Sequence, residues 1–251
     1  MKSVQIFTHS IRQVINNLPA AIKISGVLYL VQVVVGIAFG RAMMSGGMGM
    51  MQGGGYGLGA LLVLLVALIT GIWIAVAWHR FVLLAEVPTT PVPPFLGERM
   101  GAYFIKSLLI GVILIVVGIV LGAIIGGIAM PMMMHGGGLF AMLLISLLVQ
   151  VPMIFLGLRM ATGLPGTALG SDHPLMAGWQ ATAGEWRVIL ELAVMMALAV
   201  WVINLISLFI FGGVTMLAQI WGIIAGWPIM MVGLSVLTTL YGHYIEKRPL
   251  V

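Results

Sequence analysis

Six long apolar stretches, at approximately residues 20–40, 59–82, 103–129, 139–159, 188–210 and 214–242, dominate the pattern of the chain. Each is close to the roughly 20 apolar residues that a helix needs to cross about 30 Å of hydrocarbon. The pattern predicts an all-α, polytopic membrane protein with six transmembrane helices. The last two are the hardest pair to divide, because residues 192–242 carry no charge and only Gly212-Gly213 marks a turn between them. Two full spans and a re-entrant hairpin both remain open there. Pro152 and Pro228 fall inside spans, where a missing N–H kinks a helix or loosens its pairing.

Outside the apolar runs, three segments show helical periodicity. In "SVQIFTHSIRQVINNL", residues 3–18, Val4, Phe7, Ile11, Val14, Ile15 and Leu18 recur at helical steps, with Gln5, His9, Arg12, Gln13 and Asn16 opposite. That is the pattern of an amphipathic helix lying in the headgroup plane. "PPFLGERMGAYF" at 93–104 is a shorter version. In the third, Ser171 or Asp172 can cap a helix with Pro174 in its first turn, and Leu175, Trp179 and Trp186 make the apolar side. Three such helices would collar one rim of the bundle; ordinary loops with incidental periodicity are the alternative.

The chain also repeats itself. "VVVGIAFG" at 33–40 and "IVVGIVLG" at 115–122 match at an offset of 82. Lys23, Lys106 and Glu191 sit one turn inside the same end of odd-numbered spans, 83 and 85 residues apart, and Arg80, Arg159 and His243 close the even spans at separations of 79 and 84. These spacings predict a single membrane domain of three units, approximately 1–85, 86–170 and 171–251, each an interfacial helix followed by a helical hairpin.

Composition adds to this picture. With 62% hydrophobic and 7% charged residues, and a mean hydropathy of +1.21, the chain lacks the charged skin of a soluble domain. The first apolar run follows a polar segment without a cleavable small-residue site, so it is expected to be a retained helix. The absence of cysteine removes disulfides, thiolate metal sites and cysteine nucleophiles. The net charge of +5 comes from scattered single residues, a distribution that orients membrane spans and gives no nucleic-acid signal. Ten basic residues fall on one side of the six-span arrangement and only Arg41 on the other. The positive-inside rule then places both termini in the cytoplasm, with all six acidic residues on that side.

Gly118, Gly122 and Gly126 form a small-residue ridge at steps of four, repeated by Gly36 and Gly40, and are expected to let helix backbones approach closely within the chain, or between two copies in a homodimer. Mid-membrane positions carry no ionisable residue; the deepest polar side chains include Gln32, Thr70, Gln150, Asn204 and Gln219. Ion-coupled carriers usually keep an ionisable group at depth, so these amides are read as hydrogen-bonding between helices. There is no phosphate loop, serine elbow or HExxH pair, and no cofactor or catalytic residue is expected.

Two motifs at the basic rim carry the candidate sites. "AWHRFVLLAE" at 77–86 brings Trp78, His79, Arg80 and Glu86 together, and "LRMATGLPGTALGSDHP" at 158–174 begins with Arg159. Arg80 and Arg159 can bind lipid phosphate or a partner's carboxylate, or can simply snorkel as anchors beside Trp78 as a belt aromatic. Lys23, Lys106 and Glu191 can form a charge cluster about a pseudo-threefold axis, or stay separate with Arg187 and Glu191 paired at i, i+4. "WHRFVLLAE" and "LRMATGLPGTALG…AGWQATAG" resemble a group of six-span proteobacterial inner-membrane proteins, themselves loosely similar to the membrane portion of some glycerophosphodiester phosphodiesterases. The resemblance implies a helical fold and an inner-membrane location; no catalytic residue carries over, because the phosphodiesterase's catalytic domain has no counterpart in this sequence.

The opposite side holds "RAMMSGGMGMMQGGGYG" at 41–57 and "MPMMMHGGG" at 130–138, read as outer loops, with nine of the twenty methionines in residues 43–51 and 130–134. Thioether sulfur selects Cu(I), and Met48, Met50, Met51, Met132, Met133, Met134 and His135 have the spacing of Met-rich copper-handling segments. Flexible apolar filler is the other use of such runs. Two functions therefore follow from sequence: a non-catalytic scaffold, assembly factor or accessory subunit that binds other membrane proteins or lipids, or a transporter handling Cu(I) or a small solute.

Overall fold

The computed structural model describes the backbone at residues 1–49, 56–132, 138–211 and 215–250, and the side chains of these residues outside 40–57, 128–144 and 211–215. Among the described residues the chain is helical, without strands: α1 (Lys2–Asn16), α2 (Leu18–Gly49), α3 (Tyr56–Leu84), α4 (Gly97–Met132), α5 (Gly138–Ala161), α6 (Leu164–Leu169), α7 (Ala177–Ala181), α8 (Trp186–Phe211) and α9 (Thr215–Tyr244). Six stretches are long and apolar enough to cross a membrane: Leu18–Phe39, Leu58–Leu84, Gly97–Gly127, Ile145–Leu169, Ala183–Ile210 and Met216–Tyr244. The protein is a multi-pass membrane protein. The 26 residues of α8 and the 30 of α9 give about 39 and 45 Å of helix, so each is long enough to cross on its own, and the re-entrant alternative falls away.

Helix boundaries follow local chemistry. α1 stops at Asn17, whose N–H bonds back to the carbonyl of Val14, and Pro19 in the first turn of α2 has no N–H with which to continue the ladder. α6 ends on Gly170, left-handed at φ 97°. The Gly170 N–H reaches the Thr167 carbonyl and the Ser171 N–H the Gly166 carbonyl, the paired bonds of a Schellman stop.

Three expectations need correction. The two Met-rich segments are helical further than expected, α2 running to Gly49 and α4 to Met132, in spite of Gly46, Gly47 and Pro131; a helix lets backbone N–H and C=O groups near the membrane satisfy one another. The segment 93–104 forms no separate interfacial helix; from Gly97 onward it is the first turns of α4. The third interfacial helix starts at Ala177, so neither Ser171 nor Asp172 caps it. After Arg159, where the sequence pattern predicts no element, α6 is buried from Leu164 to Ala168 and packs on α3, α4 and α9, filling the bundle end.

α1 is helical as its periodicity predicts, but the face it buries is Ser3, Ile6, Ser10 and Val14, set against α8 and α9. Val4 and Ile15 stay exposed on the neighbouring apolar face, while Gln5, Arg12 and Asn16 form the polar one. In lipid no hydrophobic drive joins helices, so hydroxyls that can bond across an interface mark the packed side. Ser10 Oγ lies 3.1 Å from Thr239 Oγ1 of α9, and Ser3 Oγ donates to Glu191 of α8 at 2.6 Å.

Around the bundle, α2 packs on α3, α4 on α5, α5 on α8 and α8 on α9, with α3 also touching α9. Burial is lopsided. Among the described residues, those that are buried lie toward the basic end, where α1, α6 and α7 sit, and none in 29–39, 58–69, 111–127, 145–157, 198–210 and 216–224 is buried. Those segments present branched apolar side chains such as Ile37, Ile69, Ile115 and Ile210 to their surroundings. A cleft of about 770 Å³ separates α2 from α9 there, lined by Gly36, Gly222 and Gln219.

Candidate functional site

Three consecutive residues of α3, Trp78, His79 and Arg80, point about 100° apart around the helix and reach three different neighbours. Trp78 is fully buried and donates its indole N–H to Ser235 Oγ of α9 at 2.9 Å. It is therefore no belt aromatic. His79 is also fully buried, with Nδ1 2.8 Å from Thr238 Oγ1 and Nε2 3.3 Å from the Tyr103 hydroxyl of α4. Thr238 gives its own proton to the Leu234 carbonyl at 2.8 Å. The hydrogen-bond set assigns the proton of the ring to Nδ1, donating to Thr238, and leaves Nε2 to accept from Tyr103.

Arg80 turns to the rim. Its Nε donates to Glu86 Oε2 at 2.8 Å, an Nη2 hydrogen goes to Oε1 of the same carboxylate, and Nη1 reaches the Ala168 carbonyl of α6 at 3.1 Å. Planar guanidinium suits this forked geometry. The turn that returns Glu86 to Arg80 passes through Ala85, a non-glycine residue at φ 56°. Beyond it, residues 85–96 fold back beside α3. Trp73 Nε1, 11 residues or about 16 Å inside Leu84, lies 3.2 and 3.3 Å from the carbonyls of Pro93 and Pro94. Carbonyls at membrane depth need such donors, and proline segments have few of their own. Between this segment and the helices lies a pocket of about 360 Å³, with Arg80 and Glu86 toward one end and Trp73, Val76, Pro93 and Met100 along its walls.

Arg159 of α5 does not snorkel either. It is 7% exposed, lies over the Trp179 ring, and donates from Nε to Thr182 Oγ1 at 3.1 Å and from Nη2 to the Trp179 carbonyl at 2.9 Å. Gly178 makes this approach possible: a Cβ there would stand 2.7 Å from the Arg159 carbonyl oxygen and 2.9 Å from the Gly163 nitrogen, both backbone.

Lys23, Lys106 and Glu191 do not assemble into one cluster. Lys23 is exposed, Lys106 Nζ donates to the His173 carbonyl at 2.8 Å, and Glu191 accepts from Ser3. Arg187 lies over Trp186 and makes no ion pair with Glu191. The ion pairs among the described residues are Lys2–Glu185, Arg80–Glu86 and Arg248–Glu246. Sequence reasoning missed the first and third of these, along with the Tyr244 hydroxyl that donates to Glu185 at 2.7 Å; Lys2, Glu185 and Tyr244 come from α1, the turn before α8 and α9, far apart in the chain. It also missed Tyr103, Ser235 and Thr238, which carry no signal beyond being polar residues in apolar runs.

Among the described residues the glycine ridge is mostly unfilled. A Cβ at Gly118 would meet Met153 Cε at 3.4 Å, whereas at Gly36, Gly122 and Gly126 nothing lies within 4 Å. Among the described residues, close packing of this ridge is seen at Gly118. The side chains of Gly40's neighbourhood and of Met48, Met50, Met51, Met132, Met133, Met134 and His135 fall outside the described residues. Among the described residues no group of three or more His, Asp or Glu side chains is placed to hold a metal ion.

No family model, curated protein or solved structure matches this chain. What it can do must be argued from its own geometry. The rim motif at 77–86 divides into two buried ties, Trp78 and His79, and one partly exposed charged pair, Arg80 and Glu86, beside a pocket.

Proposed function

We propose that the protein is a non-catalytic integral protein of the bacterial inner membrane, a scaffold, assembly factor or accessory subunit that binds lipids or other membrane proteins. One observation carries this reading: polar side chains at the basic end are engaged in ties between helices, while the described residues of the opposite halves offer apolar surface and glycines with no described neighbour within 4 Å. Helix association in lipid depends on close packing at small residues, so the open ridge of Gly122 and Gly126 suits a helix from another chain, including a second copy. The excess of basic residues at the end gathered by α1, α6 and α7 supports cytoplasmic termini, and the sequence spacings of about 80 residues support three related units.

Crosslinking in intact membranes followed by purification in mild detergent tests the reading. A reproducible membrane-protein partner, lost on Gly122→Ile with Gly126→Ile, is the expected result. Recovery of the protein without partner or bound lipid removes it. Cysteine labelling at positions 80 and 159 should report the same leaflet; opposite leaflets overturn the topology.

A further inference from the structure

The pocket between α3 and residues 85–96 has apolar walls running inward from a charged end. Trp73 lies seven residues, about 10 Å, deeper along α3 than Arg80. The far wall is pinned by the Trp73 bonds to Pro93 and Pro94 and by the edge of Phe95, whose ring centre is 5.1 Å from that of Trp73. The charged end is pinned by the Ala85 turn, a left-handed conformation that a residue with a Cβ adopts only when its surroundings impose it.

The valence of that charged end is incomplete. A guanidinium has five N–H donors; Arg80 uses one from Nε, one from Nη2 and one from Nη1, so two have no partner among the described residues. The Glu86 carboxylate, on a half-exposed side chain, keeps outward lone pairs beyond those facing Arg80. A lone anion would meet repulsion from Glu86 and a lone cation repulsion from Arg80. A ligand carrying both signs on one short headgroup, with an apolar tail, matches donors, acceptors and walls together.

We propose that this pocket binds a zwitterionic phospholipid with a primary-amine headgroup, the phosphatidylethanolamine class. The phosphate takes the two remaining Arg80 donors, the ammonium takes Glu86, and an acyl chain lies along Trp73 and Met100. The inference rests on the reading that the protein binds membrane components, and it names one component and its site.

The test uses the full-length protein in detergent micelles, titrated with phosphatidylethanolamine or phosphatidylglycerol carrying brominated chains. Tryptophan quenching is read against the Trp73→Phe variant, to isolate Trp73. The amine lipid should quench at about fivefold lower concentration than the glycerol lipid, and Glu86→Gln should bring the two to parity. Native mass spectrometry of wild type and Glu86→Gln, exposed to an equal mixture, gives the same ratio without altering Trp73. Equal binding of both lipids to wild type, or a preference unchanged in Glu86→Gln, overturns the headgroup assignment and leaves lipid binding in place. Absence of Trp73-dependent quenching by either lipid overturns the site, while partner crosslinking tests the broader reading independently.

Discussion

The guanidinium carbon of Arg159 lies 3.7 Å from the centre of the Trp179 ring, joining the end of α5 to the short α7. The same guanidinium bonds Thr182 and the Trp179 carbonyl, so a residue that looks like an anchor in sequence holds a surface segment onto the bundle. Trp179 in turn packs against the apolar cluster that contains Met160 and Leu164.

Arg159→Lys keeps the charge but loses the planar stack and the fork, and is expected to destabilise the protein by about 1–3 kcal/mol. Thermal unfolding in detergent measures it. Coupling with Trp179→Leu in a double-mutant cycle should be about 1 kcal/mol or more; additive effects would show that the stack contributes nothing.

His79→Phe fills a similar volume but leaves the Tyr103 hydroxyl buried without its acceptor, whereas Thr238 still has the Leu234 carbonyl. The expected loss is about 1–3 kcal/mol, and adding Tyr103→Phe should restore part of it. A double variant weaker than His79→Phe alone would contradict the assigned bond.

Two glycines should respond oppositely to alanine. Gly178→Ala drives a Cβ against backbone atoms of Arg159 and Gly163 that cannot rotate away, and is expected to cost about 1–3 kcal/mol. Gly122→Ala meets no described atom within 4 Å, gains helix propensity, and should be neutral or stabilising by up to about 1 kcal/mol. Similar losses at both positions would mean that the α4 ridge is packed within the chain.

Lys2 Nζ sits 2.8 and 2.7 Å from the two Glu185 oxygens, with both side chains more than a third or nearly a third exposed. Lys2→Ala should therefore cost no more than about 1 kcal/mol, and that difference should shrink in high salt. A larger cost that persists at 1 M salt, measured by the same unfolding assay, would place the pair in a drier setting.

Six spans were legible because length and hydropathy alone decide them, and α1 was legible because Val4, Phe7, Ile11 and Ile15 keep helical spacing. The face that α1 buries was not, since Ser3 and Ser10 look polar until Glu191 and Thr239 are brought to them. "LPGTAL" hid α6, because proline and glycine read as breakers although proline is tolerated in a first turn and Gly166 leaves room for Tyr241. At the rim, Trp78, His79 and Arg80 stood out by type, but their partners Ser235, Thr238 and Ala168 lie 157, 159 and 88 residues away, beyond any local pattern. The Arg80–Glu86 pair was within reach of sequence, being six residues apart; the pocket beside it required the fold-back of 85–96.

Joined by buried hydrogen bonds at the basic end and, in the less buried halves, by the sparser ties of Gln32 to Thr70, Tyr29 to the Ile223 carbonyl and Trp221 to the Ile203 carbonyl, the helices can lean a little without unpicking the buried joint. Thinner or thicker bilayers can then be met by small changes in the splay of the less buried halves, at a small cost per ångström of mismatch. Such a molecule would tolerate passage between membranes of different thickness better than a bundle packed along its whole length.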